Sequence, residues 1–331
     1  MAIILGILAG IGLPIQTGIN TTLRKKVGSP YRASLVSFIV ALVFLVLLLI
    51  VTGEGVAIPF GRILKEPLWI WIGGICGVIF LTGNILLISK IGSVQTVVLP
   101  VLGQILMGLI VDNFGLFYAE QVKTTALRIL GALFVIGGVL IVSMTKDIKY
   151  GSFMLRNSKV DGTESVSVKA ECTPKLRIKE QSLWIWRIFG IFTGMLSAVQ
   201  TAVNGYLGKV AGSSVKASAV SFMVGAILLS IVCIVTAKKD YIEKSEQVNG
   251  KYPWWIWSGG ILGGLYLLTN ITLSSRLGTG MTIILLLIGS TVGGLFVDQF
   301  GLFGVDKKPL HVTKAVGVLV MVVGAASIKI Y

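Results

Sequence analysis

Two pairs of carboxamides stand four residues apart inside apolar stretches: Gln16 with Asn20, and Gln200 with Asn204. Four residues is about one helical turn, so each pair lies on one face of a helix. A carboxamide donates and accepts hydrogen bonds without carrying charge. In a hydrocarbon setting such groups are costly, which makes each one a candidate for holding a solute. Asn84 and Asn270, and Ser37 and Ser221, are further matched pairs in apolar stretches. The chemistry on offer is reversible, uncharged recognition. The same groups can instead bond between helices and only lock a bundle. The residue types leave both readings open. Gln104 is matched by Ser290, so polarity is unequal there, and an unequal polar position is a candidate for substrate choice.

The acids constrain the chemistry further. None falls in the middle of an apolar stretch. Asp112 and Asp298, in VDNFGLF and VDQFGLF, sit at the ends of two of them. A proton-coupled carrier needs a buried carboxylate that exchanges protons. Only these two could serve, and both read as interfacial. The alternative role for the motif is a helix stop and turn, with the Asp accepting backbone bonds and Gly115 and Gly301 in left-handed conformation. No phosphate-binding loop, zinc spacing or catalytic triad is present. Cys76, Cys172 and Cys233 lack metal or redox spacing, and the single His311 reads as interfacial. The expectation is therefore no metal, no cofactor and no enzyme.

The elements that position these groups are membrane spans. Of 331 residues, 54% are hydrophobic and 13% charged, against roughly 25% charged in a soluble domain. The apolar runs are continuous, which excludes a strand barrel. Their lengths predict spans over 3–22, 33–52, 68–88, 94–111 and 125–143. A second set follows over 187–206, 217–236, 254–274, 280–297 and 312–329. The first apolar run has no basic leader and recurs in mid-chain, so it reads as a retained span rather than a signal peptide.

The two sets are copies. Gly10–Val46 matches Gly194–Ser230 at a shift of 184, with 15 of 37 positions identical. Trp69–Phe117 matches Trp255–Phe303 at a shift of 186, with 24 of 49 identical. Two equal copies of five spans each, inserted in series, must have opposite orientations. The expected fold is an all-α integral membrane protein of ten transmembrane helices, arranged as two inverted five-helix repeats. The expected units are residues 1–144, a polar and partly disordered linker over 145–183, and residues 184–331. Of the 29 Lys and Arg, 21 fall on the linker side and 8 on the other when span-end residues are assigned to loops. This predicts a cytoplasmic linker with both termini outside. Equivalent loops of the two copies also trade basic charge, as oppositely oriented copies require. The net charge of +15 is thus a matter of topology; nucleic acid is not an expected partner.

Finer features complete the expectation. Trp69, Trp71, Trp184, Trp186, Trp254, Trp255 and Trp257 open spans and read as interfacial anchors. Pro14 and Pro100 lie inside spans and predict bends, with Ala198 and Leu286 as their counterparts. Gly73 with Gly77, and Gly259 with Gly263, have the spacing of close helix packing.

The five-span unit carries GxxxPxQTxxN, ASxxSF, WxGGxxG, N-I and DxFGLF in that order. It resembles the YdcZ-like family (transporter family-2) of the drug/metabolite transporter superfamily, in a fused two-copy form. The resemblance implies a ten-helix inverted-repeat bundle with a central substrate cavity, in a bacterial-type plasma membrane. The small multidrug resistance branch carries a glutamate in its first span; this chain has none, which argues against drug–proton antiport. The leading expectation is a secondary transporter of a small organic solute by alternating access, with a cavity lined by spans 1, 2, 3, 6, 7 and 8. A lipid-carrier translocase and a non-transporting scaffold or sensor are the alternatives. The expected partners are a small-molecule substrate and the lipid bilayer, and a monomer suffices in principle, with a dimer as the alternative.

Overall fold

The computed structural model describes residues 2–144, 174–240, 253–304 and 312–329. Most of the expected linker, with Cys172, lies outside the described residues, as do His311 and the side chain of Asp298. Among the described residues the chain is helical and has no strand. The helices are α1 (Ala2–Val27), α2 (Pro30–Val51), the short α3 (Phe60–Ile63), α4 (Ile72–Phe114) and α5 (Ala126–Met144). The second copy supplies α6 (Pro174–Ala211), α7 (Ser214–Asp240), α8 (Ser258–Leu277), α9 (Thr279–Phe300) and α10 (Val312–Lys329). Seven helical stretches are long and apolar enough to cross a membrane, and three shorter apolar ones cover 99–114, 126–138 and 315–324. Large apolar side chains such as Leu47, Val51, Ile234 and Leu319 point outward and are more than half exposed. That surface suits lipid as the outer solvent.

Local chemistry sets the helix ends. Gly28, at φ 76°, closes α1, and its N–H donates to Arg24 O at 2.9 Å. Pro30 opens α2, where a missing N–H costs nothing. Ser213 Oγ accepts from the N–H groups of Val215 and Lys216 at 3.1 and 3.2 Å and so starts α7. The two DxFGLF segments are stops, as expected: Gly115 (φ 60°, ψ 34°) and Gly301 (φ 62°, ψ 38°) are left-handed caps bonded to Val111 O and Val297 O. Gly115→Ala should cost about 1 kcal/mol, because the added Cβ meets no clash and only the dihedral is strained. A thermal melt in detergent reads this directly.

Two helices differ from expectation. Helix α6 begins at Pro174, inside the stretch expected to be a solvated linker. Helix α4 runs over both the third and fourth expected spans, yet it doubles back. The side chains of Leu87 and Leu99 both lie within 4 Å of the point where a Cβ on Gly190 would stand. A straight helix would separate residues twelve apart by about 18 Å. The reversal therefore falls between them. In the second copy the equivalent of Gly92 is Gly278, at φ 81°, which separates α8 from α9. The chain continues as helix through Pro14, so no helical break occurs at that proline.

The copies interlock rather than sit side by side. Helix α1 packs on α8 and α9 of the other copy, and α6 packs on both arms of α4. Helix α2 packs on α7, and α5 on α10. The close approaches are reciprocal. A Cβ on Gly10 would overlap the carbonyl of Leu286, and one on Gly194 the carbonyl of Pro100. These are equivalent contacts of the two copies. At the centre Phe38 meets its own repeat counterpart, Phe222, edge to face, with centroids 4.9 Å apart at 71°.

Candidate functional site

A cavity of about 40 Å³ lies where the copies meet, with Gln16, Gln200, Phe38, Phe222, Phe80 and Tyr266 among its lining residues. Leu13, Gly77, Leu81, Gly263 and Leu267 complete the wall. All six expected spans contribute. The volume admits water and falls well below the roughly 300 Å³ of a typical ligand pocket.

Glycines seat the amides. The Gln16 amide lies against Gly263 and the Gln200 amide against Gly77; a Cβ on Gly77 would stand 2.7 Å from Gln200 Nε2. One turn away, Asn20 Oδ1 would stand 2.5 Å from a Cβ on Gly259, and Asn204 abuts Gly73 in the same way. The two small-xxx-small pairs thus do more than bring helix backbones together. Each cradles the amide pair of the opposite copy.

Of the nine residues singled out for recognition, Gln16 and Gln200 line the cavity. The others are buried, all but Gln104 on the expected spans that line it. Ser37 Oγ donates to Asn20 Oδ1 at 2.6 Å, and Asn204 Nδ2 donates to Ser221 Oγ at 3.2 Å. Asn270 Nδ2 donates to Thr201 Oγ1 at 3.0 Å. Gln104 Nε2 donates to Ser197 Oγ at 3.1 Å and stands away from the cavity, beside a recess of about 20 Å³. Asn84 is buried, and its Oδ1 has no partner. Asn20 Nδ2, Asn204 Oδ1 and Asn270 Oδ1 are also buried without partners. An unpaired buried polar atom costs about 1–3 kcal/mol, so four such amide atoms among these helices are a concentrated expense.

Asp112 corrects the sequence reading. It stands at the end of α4, as expected, but is buried rather than solvated: 3% of its surface is exposed, and Oδ2 accepts from Arg128 Nη2 at 2.9 Å. Its carboxylate also takes a backbone hydrogen bond from Gly280, in the first turn of α9. Arg128, assigned to a loop by its place at a span end, is itself buried and donates through Nη1 to Val122 O at 3.0 Å. Burial drives this pairing, since neither charge can be left alone in the bundle. Asp298 lies in the last turns of α9, and its repeat-equivalent partner position is Lys314.

Sequence reasoning missed Arg128, Ser197, Thr201 and Tyr266. The last lines the cavity with its hydroxyl beside Ser197 and Asn270. Its counterpart in the first copy is Phe80, and that of Ser197 is Leu13. A search for matched polar residues passes over such positions; a position-by-position comparison of the copies would have flagged both. No cluster of His, Cys, Asp and Glu able to hold a metal occurs among the described residues.

Comparison with known proteins supplies a family. The profile described as "Putative inner membrane exporter, YdcZ" matches residues 1–141 and 185–327, one match to each copy. No curated protein matches the sequence. One solved crystal structure superposes with a TM-score of 0.61 at 12% identity, over 98% of this chain and 94% of its own. At that identity the likeness is one of fold alone.

Proposed function

From the premise that this chain belongs to the YdcZ family, and is therefore a multi-pass membrane protein, we propose that it is a secondary transporter of a small organic solute. The seven long and three shorter apolar helices act as ten spans in two inverted five-helix repeats, joined by a cytoplasmic linker, with both termini outside. The solute binds at the repeat interface, where Gln16 and Gln200 meet it first and Asn20, Asn204, Asn84 and Asn270 form the shell behind. Transport proceeds by rocking one packed unit against the other around that fixed site. No covalent chemistry is needed.

One observation carries the reading: a cavity of about 40 Å³ lined by matched residues of both copies, with unpartnered amide atoms on the helices around it. A scaffold gains nothing from leaving those atoms unpaired. A carrier gains groups that a solute or entering water can satisfy once the copies separate.

The test is uptake by proteoliposomes in a metabolite screen, with and without a pH gradient. Gln16→Ala and Gln200→Ala should each lower transport of whatever solute the wild type carries by roughly tenfold, the worth of one lost hydrogen bond. Melting should change little, because neither side chain fills a large core volume. Normal transport by both variants would remove the cavity from the mechanism. Transport that ignores the gradient would remove Asp112 and Asp298 as coupling groups.

A further inference from the structure

The copies surround the cavity symmetrically but offer it different chemistry. In the second copy Tyr266 lines the cavity, with Ser197 and Asn270 beside its hydroxyl. Behind it the chain of polar groups continues: Asn270 to Thr201 at 3.0 Å, and Gln104 to Ser197 at 3.1 Å. In the first copy the equivalent positions are Phe80 for Tyr266 and Leu13 for Ser197, and both line the same cavity. The second copy thus presents a hydroxyl beside a hydrogen-bonded polar network, and the first presents hydrocarbon at the equivalent positions.

Among the described residues that line the cavity there is no carboxylate, amine, guanidinium or imidazole. A charge carried into such a site would lose its hydration with no opposite charge to replace it. The ion pair buried elsewhere in the bundle, Asp112 with Arg128, is already committed to itself at 2.9 Å. An uncharged solute meets no such penalty. A hydroxyl or amide on it would be matched by Tyr266 and the two glutamines, and an apolar or aromatic face would be matched by Phe80 and Leu13.

We propose that the site selects an uncharged solute with two unlike ends: a hydrogen-bonding end held at Tyr266 and an apolar end held against Phe80 and Leu13. This rests on the transporter reading and names its substrate class. The unequal linings of the two copies also set one orientation of the solute within a nearly symmetric frame. Tyr266 is the discriminating residue, because Phe stands at its equivalent position in the other copy.

The full chain, purified in detergent, is tested by thermal shift against two matched probe series. The first is tryptophol, indole-3-acetate, tryptamine and 3-ethylindole. The second is uridine, orotidine and 5′-amino-5′-deoxyuridine. In at least one series the neutral hydroxylated member should bind ten times more tightly than its anionic and cationic relatives, and tryptophol should exceed 3-ethylindole by a similar factor. Tyr266→Phe should still fold with a cooperative ligand-free melt and abolish the preference for tryptophol over 3-ethylindole. Phe80→Tyr should raise affinity for probes with polar groups at both ends, such as uridine. Tighter binding of a charged member, an unchanged preference in Tyr266→Phe, or no stabilisation by any probe would overturn the proposal. Proteoliposome uptake separates the two ideas. A charged probe carried in preference to its neutral relative ends the uncharged-solute inference and leaves the transporter intact. Binding of the neutral probe without uptake ends the transporter reading and leaves the site chemistry standing.

Discussion

Gly10→Ala should disrupt the bundle, while Gly12→Ala, two residues along the same helix, should leave it unharmed. A Cβ on Gly10 would overlap the carbonyl oxygen of Leu286 and stand 2.9 Å from the Cα of Gly289. Those are backbone atoms of α9 and cannot rotate aside. Relief requires α1 and α9 to separate, which would open the cross-copy contact over several turns. Overpacking typically costs 1–3 kcal/mol, and backbone against backbone belongs at about the upper end. At Gly12 the added methyl would find only Leu262 Cδ2 at 3.8 Å, an ordinary contact. There the change removes a helix-weakening glycine, worth up to about 1 kcal/mol in the opposite sense. The two variants should therefore differ by roughly 3 kcal/mol, seen as a melting difference of about 10 °C. Gly194→Ala should repeat the loss, because its Cβ would overlap the carbonyl of Pro100 in the equivalent contact. Equal melting of the Gly10 and Gly12 variants would mean that α1 does not seat on α9 as described.

What could be read from the sequence was whatever local pattern determines. Continuous apolar runs of the right length gave the helices, and their ends fell within a few residues of expectation at α2, α5, α8 and α10. The left-handed glycines of DxFGLF were legible because a tight stop demands that conformation. Gln16 and Gln200 were legible as cavity candidates because uncharged polar groups are rare in apolar helices. The interleaving was not legible. Nothing in the spacing of Gly10 says that it will face Leu286 rather than a neighbour in its own copy, since that choice is made by long-range packing. The glycine pairs at 73/77 and 259/263 were recognised as close approaches, but their occupants, the amides of the opposite copy, depend on the same long-range geometry. Arg128 was hidden by a sound rule: a basic residue at the end of an apolar run normally reaches for water. The signal against the rule was present in both copies. An acid and a base stand sixteen residues apart as Asp112 with Arg128 and again as Asp298 with Lys314.

The Asp112–Arg128 pair should behave as a unit whose halves cannot be removed singly. Both side chains are about 5% exposed, and the 2.9 Å contact joins the end of α4 to the start of α5. The Gly280 hydrogen bond ties the same carboxylate to the first turn of α9. Replacing one partner leaves the other charge buried without compensation, which costs about 3–5 kcal/mol. Arg128→Met should therefore destabilise strongly by stranding Asp112, and Asp112→Leu should do so by stranding Arg128. The double variant removes both desolvation penalties together. It should recover most of the loss, and reach wild-type stability where Leu and Met fill the volume. Arg128 Nε has no partner in the native arrangement, so the guanidinium is not fully satisfied even there. That favours the apolar double variant further. Thermal melts of the four proteins in one detergent close the double-mutant cycle. Strictly additive losses would show that the two groups do not interact energetically. The same double variant, if it folds, carries the functional test of this acid. Gradient-dependent transport that survives without Asp112 would leave the pair as a brace between α4, α5 and α9, whereas loss of the gradient dependence alone would make it part of coupling.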